Sequence, residues 1–249
     1  MTVIFLRMVL AASIAGLSAF GCDEDEDGEL FGDSTRLYFH NQLTQSTGGS
    51  SDDVVVDFYV DDMNSPLSED RGYTESGNVS SNQIELDDES ENLQFDVRAS
   101  SSGSTLINGP STQTLIAGDR YTVVMMGDTT LGNSQLKSFR YQDVDVGSGQ
   151  IRVRFINTLS RLAGDDLSVT LSGGAQQLAT DLEYGGASSY NTLSAGSTLQ
   201  VDINNQTQGV LIDQVSCNVS SGRSYDAIIA YSRFDSDNDQ ISIYCQPYS

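Results

Sequence analysis

His40 is the single histidine of the chain, so any Ser-His-Asp or Cys-His site would have to use it. It alternates with Phe39 and so faces away from it, and its counterpart in a second, related stretch is Ile156. That placement suits a surface or inter-domain histidine better than a general base. Two acidic pairs, Asp52-Asp53 and Asp165-Asp166, could work as acid and base on a glycosidic bond if they converged across a cleft. Each pair precedes a Val-containing strand, and aspartate favours turns, so a turn or strand-entry role accounts for both. Asp235-Ser236-Asp237-Asn238-Asp239 spaces carboxylates at alternate positions, as calcium loops do. An EF-hand would then need Gly and Glu where Gln240 and Gln246 stand. That motif therefore fails, and a polar hairpin loop explains the stretch, with Asp235, Asp237 and Asp239 as its calcium candidates. No phosphate-cradling glycine loop and no metal-ligand cluster is evident, so nothing here calls for a cofactor.

The charge balance narrows the partners. Thirty-five acidic against 12 basic residues give a formal net charge of −23 over 249 residues. Such a chain repels nucleic acid and anionic membrane surfaces. Its length suffices for two domains of roughly 100 residues each. Trp is absent, Pro numbers 3 and Gly 23, and small polar residues abound, the profile of a turn-rich β protein.

The elements that would position these residues read as strands. Arg36 to Asn41 alternates, with Leu37 and Phe39 on one face and Arg36, Tyr38 and His40 on the other. Val54 to Val60 is β-branched and aromatic. Further strands are predicted over residues 83–86, 93–98 and 113–116. Ala117-Gly118-Asp119 turns into Tyr121 to Met126, and residues 127–133 close a hairpin with 136–141. No stretch sustains a helical period with start and stop signals.

Arg7 precedes the apolar segment Met8 to Phe20, which is too short to span a bilayer and ends at Gly21-Cys22. The segment resembles the signal peptide of a bacterial lipoprotein, with Ala19 where the usual motif has Leu. The resemblance implies cleavage before Cys22, lipid on that cysteine and a membrane anchor in the bacterial cell envelope. The anchored side would be periplasmic, or outer-membrane and cell-surface. Residues 22–33, rich in Asp and Glu, read as an acidic tether that self-repulsion extends. With Cys22 lipidated, Cys217 and Cys245 remain as an even pair in an exported chain, which predicts a disulfide. The strand order lets the two cysteines meet across or beside the strand between them.

From Gln150 the pattern begins again. Arg152 to Asn157 matches Arg36 to Asn41, 116 residues later. Leu199-Gln200-Val201-Asp202-Ile203 matches Leu93-Gln94-Phe95-Asp96-Val97 at an offset of 106. Gly222, Tyr225 and Ile229 match Gly118, Tyr121 and Met125 at 104. The order is kept while the offset drifts by loop-sized steps, so two diverged copies of one domain are expected, joined near residues 146–149. The copies resemble the bacterial family known as domain of unknown function 4397, found in extracytoplasmic proteins, often in tandem. The residues carrying this are Asn41 and Asn157, the strand 54–60, the turn Tyr184-Gly185-Gly186-Ala187-Ser188-Ser189-Tyr190, the Ala-Gly turns at 117–118 and 195–196, and Tyr121 to Val124. The resemblance implies a β-sandwich and export; it implies no activity and no catalytic residue.

The chain is therefore read as all-β. A signal peptide (1–21) and acidic tether (22–33) precede two tandem immunoglobulin-like β-sandwich domains, 34–146 and 147–249. The expected function is a membrane-anchored, non-catalytic binding or scaffolding module, with an envelope protein or a glycan as partner and no nucleic acid. The alternatives are a carbohydrate-active hydrolase using the aspartate pairs and a calcium-dependent adhesion module.

Overall fold

A computed structural model of the chain describes residues 34–47, 50–61, 64–73, 80–107, 111–142, 144–174, 176–233 and 240–248. Those residues build strands and one short 3-10 turn. The strands before residue 141 are β1 (Ser34–Thr47), β2 (Ser50–Asp53), β3 (Val56–Val60), β4 (Ser68–Arg71), β5 (Ser80–Glu85), β6 (Ser90–Ala99), β7 (Ser111–Ile116), β8 (Arg120–Asp128) and β9 (Gln135–Arg140). Those after it are β10 (Gln150–Asn157), β11 (Leu167–Leu171), β12 (Gln177–Leu182), β13 (Asn191–Ser194), β14 (Thr198–Asn205), β15 (Val210–Asn218), β16 (Arg223–Arg233) and β17 (Gln240–Tyr248). The 3-10 turn spans Ser160–Leu162.

Four sheets result, in two sandwich-like sets. The first set pairs the sheet β2-β1-β8-β9, with β5 also on β1, and the sheet β4-β3-β6-β7. The second pairs β13-β10-β16-β17 with β12-β11-β14-β15. The plan is the same in both. The opening strand runs parallel to the penultimate one, with Leu37 opposite Tyr121 in the first set and Val153 opposite Tyr225 in the second. These are the positions that the sequence offsets align.

Identical local devices hold both copies. Asn41 donates from Nδ2 to the carbonyls of Val54 and Arg71, and its Oδ1 accepts from the Leu43 N–H. Asn157 does likewise with the Leu182 carbonyl and the Leu159 N–H. The Tyr121 hydroxyl accepts from the Ile116 N–H at 3.1 Å, and the Tyr225 hydroxyl from the Ser220 N–H at 2.7 Å. Gly118 and Gly222 take the positive φ, +80° and +77°, that the turn before each tyrosine requires.

Alternating side chains fill a core inside each set. Phe39, Phe58 and Phe95 stack in series in the first, with ring centroids 4.4 and 5.3 Å apart. Val153, Phe155, Val169, Val201 and Ile229 are fully buried in the second. A third apolar cluster joins the outer faces of two sheets: Val124 and Met126 of β8 meet Ile156, Ile228, Ala230 and Tyr244. The sheets containing β8 and β16 therefore lie back to back, and both sets belong to one compact unit. Strand β3 begins at Val56 rather than Val54; the Val54 carbonyl accepts from the Asn41 side chain instead of a neighbouring strand. Four short strands, β2, β4, β12 and β13, lie at sheet edges and were not expected; their sequences are too polar or too short to alternate visibly.

Candidate functional site

His40 lies on the seam between the two back-to-back sheets. It is 1% exposed, stands opposite Val124 in the β1–β8 register, and neither ring nitrogen has a hydrogen-bond partner among the described residues. Burial pushes its pKa down from 6.5 to about 3, so the ring is neutral. Among the described residues, neither a base-orienting carboxylate nor a nucleophile is hydrogen-bonded to it. Asp165 accepts hydrogen bonds from Asn205 and Gln208 at 2.7 and 3.0 Å, and the Asp166 N–H donates to Thr207 at 3.0 Å. This pair ties the entry of β11 to the β14–β15 turn. Asp52 and Asp53 sit in β2, paired with Gln45 and Thr44 of β1. Cys217 and Cys245 form the disulfide, with Cα atoms 6.0 Å apart, and it links β15 to β17 across the second sandwich. Cys22, Asp235, Asp237 and Asp239 lie outside the described residues. Among the described residues no group of three or more acidic, His or Cys side chains is placed to hold a metal.

The polar centre of the seam is Arg154 and Asp226, neighbours across β10 and β16. Arg154 grips the carboxylate with two bonds, Nε to Oδ1 at 2.9 Å and Nη2 to Oδ2 at 2.7 Å. Asp226 also accepts from the hydroxyls of Tyr190 at 3.1 Å and Tyr248 at 3.0 Å. The remaining guanidinium nitrogen, Nη1, donates to the Arg140 carbonyl of the first sandwich at 3.0 Å. Burial, reinforced by Asp226, raises the Tyr248 pKa well above the usual phenol range, so the hydroxyl stays a donor. Tyr248 stacks on Tyr141 at 4.2 Å and meets Tyr38 edge-on at 5.3 Å, both from the first sandwich. Arg152 covers the Tyr190 ring at 3.9 Å and donates to Gln142. A second anchor lies at the β8–β9 loop. Asn133 donates to the Ser160 carbonyl at 2.8 Å, and the Tyr184 hydroxyl donates to the Asn133 carbonyl at 3.1 Å. The Tyr184–Tyr190 turn, read in the sequence as a family signature, is thus a clasp between the sandwiches.

A cleft of about 270 Å³ opens at one edge of the second sandwich. Edge strand β13 forms one wall and the start of β14 the other, with Gln176 of the β11–β12 turn at the rim. Buried Ile151, Leu193 and Leu199 make the floor, while Thr192, Ser194 and Thr198 line the sides. None of the lining residues is charged. Sequence reasoning missed this place. Its strand is four residues long, and β13 and β14, neighbours in the chain, belong to different sheets, so their facing is not visible in the sequence.

The fold is a duplicated, all-β arrangement of two sandwich-like sets. No family model matches the chain, and no curated protein matches it. Two of the solved structures similar to it are carbohydrate-binding modules. One is CBMbc (family CBM26) from Eubacterium rectale Amy13K in complex with maltoheptaose, at 15% identity over 86% of this chain and 97% of that chain, with a TM-score of 0.24. The other is a family 41 module of streptococcal virulence factors, from a study of alpha-glucan recognition, at 10% identity over 84% and 96%, with a TM-score of 0.25. Likeness this distant fixes neither the fold nor the ligand of this chain.

Proposed function

We propose that the protein is a lipid-anchored, non-catalytic binding or scaffolding module of the bacterial cell envelope. It is attached through Cys22, lifted from the membrane by the acidic residues 22–33, and engages an envelope protein or glycan. The observation that supports binding over catalysis is the cleft beside β13. Its lining offers amides, hydroxyls and aliphatic groups, and no carboxylate or imidazole to act as acid or base. His40 is sealed in the seam and Asp165 is committed to a turn, so neither serves such a cleft. The clasped sandwiches suit a rigid support, since two polar anchors and an apolar cluster fix one against the other.

The test compares the full-length chain with Cys22→Ser in its host. Wild type is expected in the membrane fraction with the mass of a cleaved, acylated chain, and the variant in the soluble fraction or as an uncut precursor. Cross-linking in intact cells is expected to trap wild type on an envelope component. Unchanged membrane partition and unchanged mass in Cys22→Ser would refute the anchor. Turnover of glycosidic substrates by the purified protein would refute the non-catalytic reading.

A further inference from the structure

We propose that the cleft beside β13 binds a neutral saccharide. The inference rests on the binding-module reading and names its ligand class. The first argument is charge. The chain carries a net −23, yet the lining of this cleft holds no acidic or basic side chain. A charged ligand would find no counter-ion there, and removing its charge from water without one is costly. An uncharged ligand loses nothing of the kind.

The second argument is the division of the lining. Ile151, Leu193 and Leu199 give an aliphatic floor, while Gln176, Thr192 and Ser194 give amide and hydroxyl groups at the sides. A sugar ring carries the matching pattern, a C–H face with hydroxyls around its perimeter. The main chain adds to the polar side. The Ala195 N–H bonds the Gly149 carbonyl, and Leu193 stands opposite Ile151, so the alternation of an antiparallel pair turns the Leu193 main-chain groups toward β10. The N–H and C=O groups of Thr192 and Ser194 are thereby directed along the outer edge of the sheet, toward the cleft. These are fixed donors and acceptors that a hydroxyl-rich ligand uses in either sense. The third argument is size: about 270 Å³ lies just below the ~300–1,000 Å³ of drug-sized ligand pockets, and suits a short saccharide rather than a folded partner.

The chain has no tryptophan, so one introduced at the rim reports occupancy without background. Gln176→Trp in the full-length chain, purified in detergent, is titrated with glucose, maltose, cellobiose and chitobiose, and with glucuronate and glucosamine as charged controls. Isothermal titration on wild type runs in parallel, so that loss of the Gln176 amide does not decide the result. Saturable binding of a neutral sugar, with a fluorescence change, is expected. Thr192→Arg, an exposed substitution that puts a long cation into the cleft, is expected to weaken it at least about tenfold with an unchanged circular dichroism spectrum. No binding of any neutral sugar at about 10 mM, binding untouched by Thr192→Arg, or tighter binding of the charged controls would overturn the proposal. An envelope component still cross-linked to wild type under those outcomes would leave the broader binding reading standing; its absence as well would remove both.

Discussion

Replacing His40 by leucine tests the back-to-back packing of the two sandwiches. The imidazole is 1% exposed and makes no hydrogen bond with the described residues, and burial holds its pKa near 3 against 6.5 for the free group. In the unfolded chain the burial is gone and the ring takes up a proton near its ordinary value. Between those two values the unfolded state binds more protons than the folded one, so stability rises with pH across that window. The contribution is fully present above the unfolded value and is lost as pH falls toward the folded one. Linkage gives a loss of about 2 kcal/mol at pH 5 and about 3 kcal/mol at pH 4, relative to neutral pH. Leucine cannot take up a proton and is similar in bulk. Urea unfolding of wild type and His40→Leu at about pH 7.5, 5 and 4 measures the difference, and the titration of the many carboxylates cancels between them. The variant is expected to gain on wild type by about 2 kcal/mol at pH 5 and about 3 kcal/mol at pH 4. A difference that stays flat from neutral pH to pH 4 would mean that His40 titrates freely. The seam would then not cover it, and the stacking of the two sheets would be wrong.

Two further outcomes follow from the second sandwich. Asp226→Asn leaves the nearly buried Arg154 without its counter-charge, and is expected to lower the unfolding free energy by about 3–5 kcal/mol by urea titration; a loss below about 1 kcal/mol would show that the guanidinium reaches water. Cutting the Cys217–Cys245 bond, which closes a separation of 28 residues, is expected to destabilise by about 3–4 kcal/mol. Equal urea midpoints with and without reductant would contradict it.

The sandwich interiors were legible because their strands alternate. Leu93-Gln94-Phe95-Asp96-Val97 and Leu199-Gln200-Val201-Asp202-Ile203 each put apolar residues on one face, and the structure buries those residues. The seam was harder to see, yet it left a mark. Strand β8 reads Tyr-Thr-Val-Val-Met-Met and β16 reads Asp-Ala-Ile-Ile-Ala-Tyr, without alternation, and all of these residues are buried. A strand apolar on both faces is covered on both faces, so a second layer over each could have been inferred. Its polar centre had no such mark. Arg154 and Asp226 are 72 residues apart and look like ordinary solvated charges until their strands are paired. The cleft was illegible for a related reason: its lining is unremarkable residue by residue, and only the facing of two sheets makes it concave.

The offsets that reveal the duplication also explain why the seam is built as it is. A shift of 116 carries Tyr38 and His40 onto Arg154 and Ile156, and a shift of 104 carries Thr122, Val124 and Met126 onto Asp226, Ile228 and Ala230. The registers agree, for Tyr38 stands opposite Thr122 as Arg154 stands opposite Asp226. Each copy therefore turns the same face of the same two strands toward the other, as two subunits do about a two-fold axis. In a true homodimer both halves would carry the same side chains, and an Arg–Asp pair on each would place two such pairs in one dry interface. A tandem chain is free of that constraint. Here one copy holds the ion pair, and the other meets it with the Arg140 carbonyl and the Phe139 ring. The devices kept in both copies, Asn41 with Asn157 and Tyr121 with Tyr225, fold each sandwich. The positions where the copies differ hold the sandwiches together.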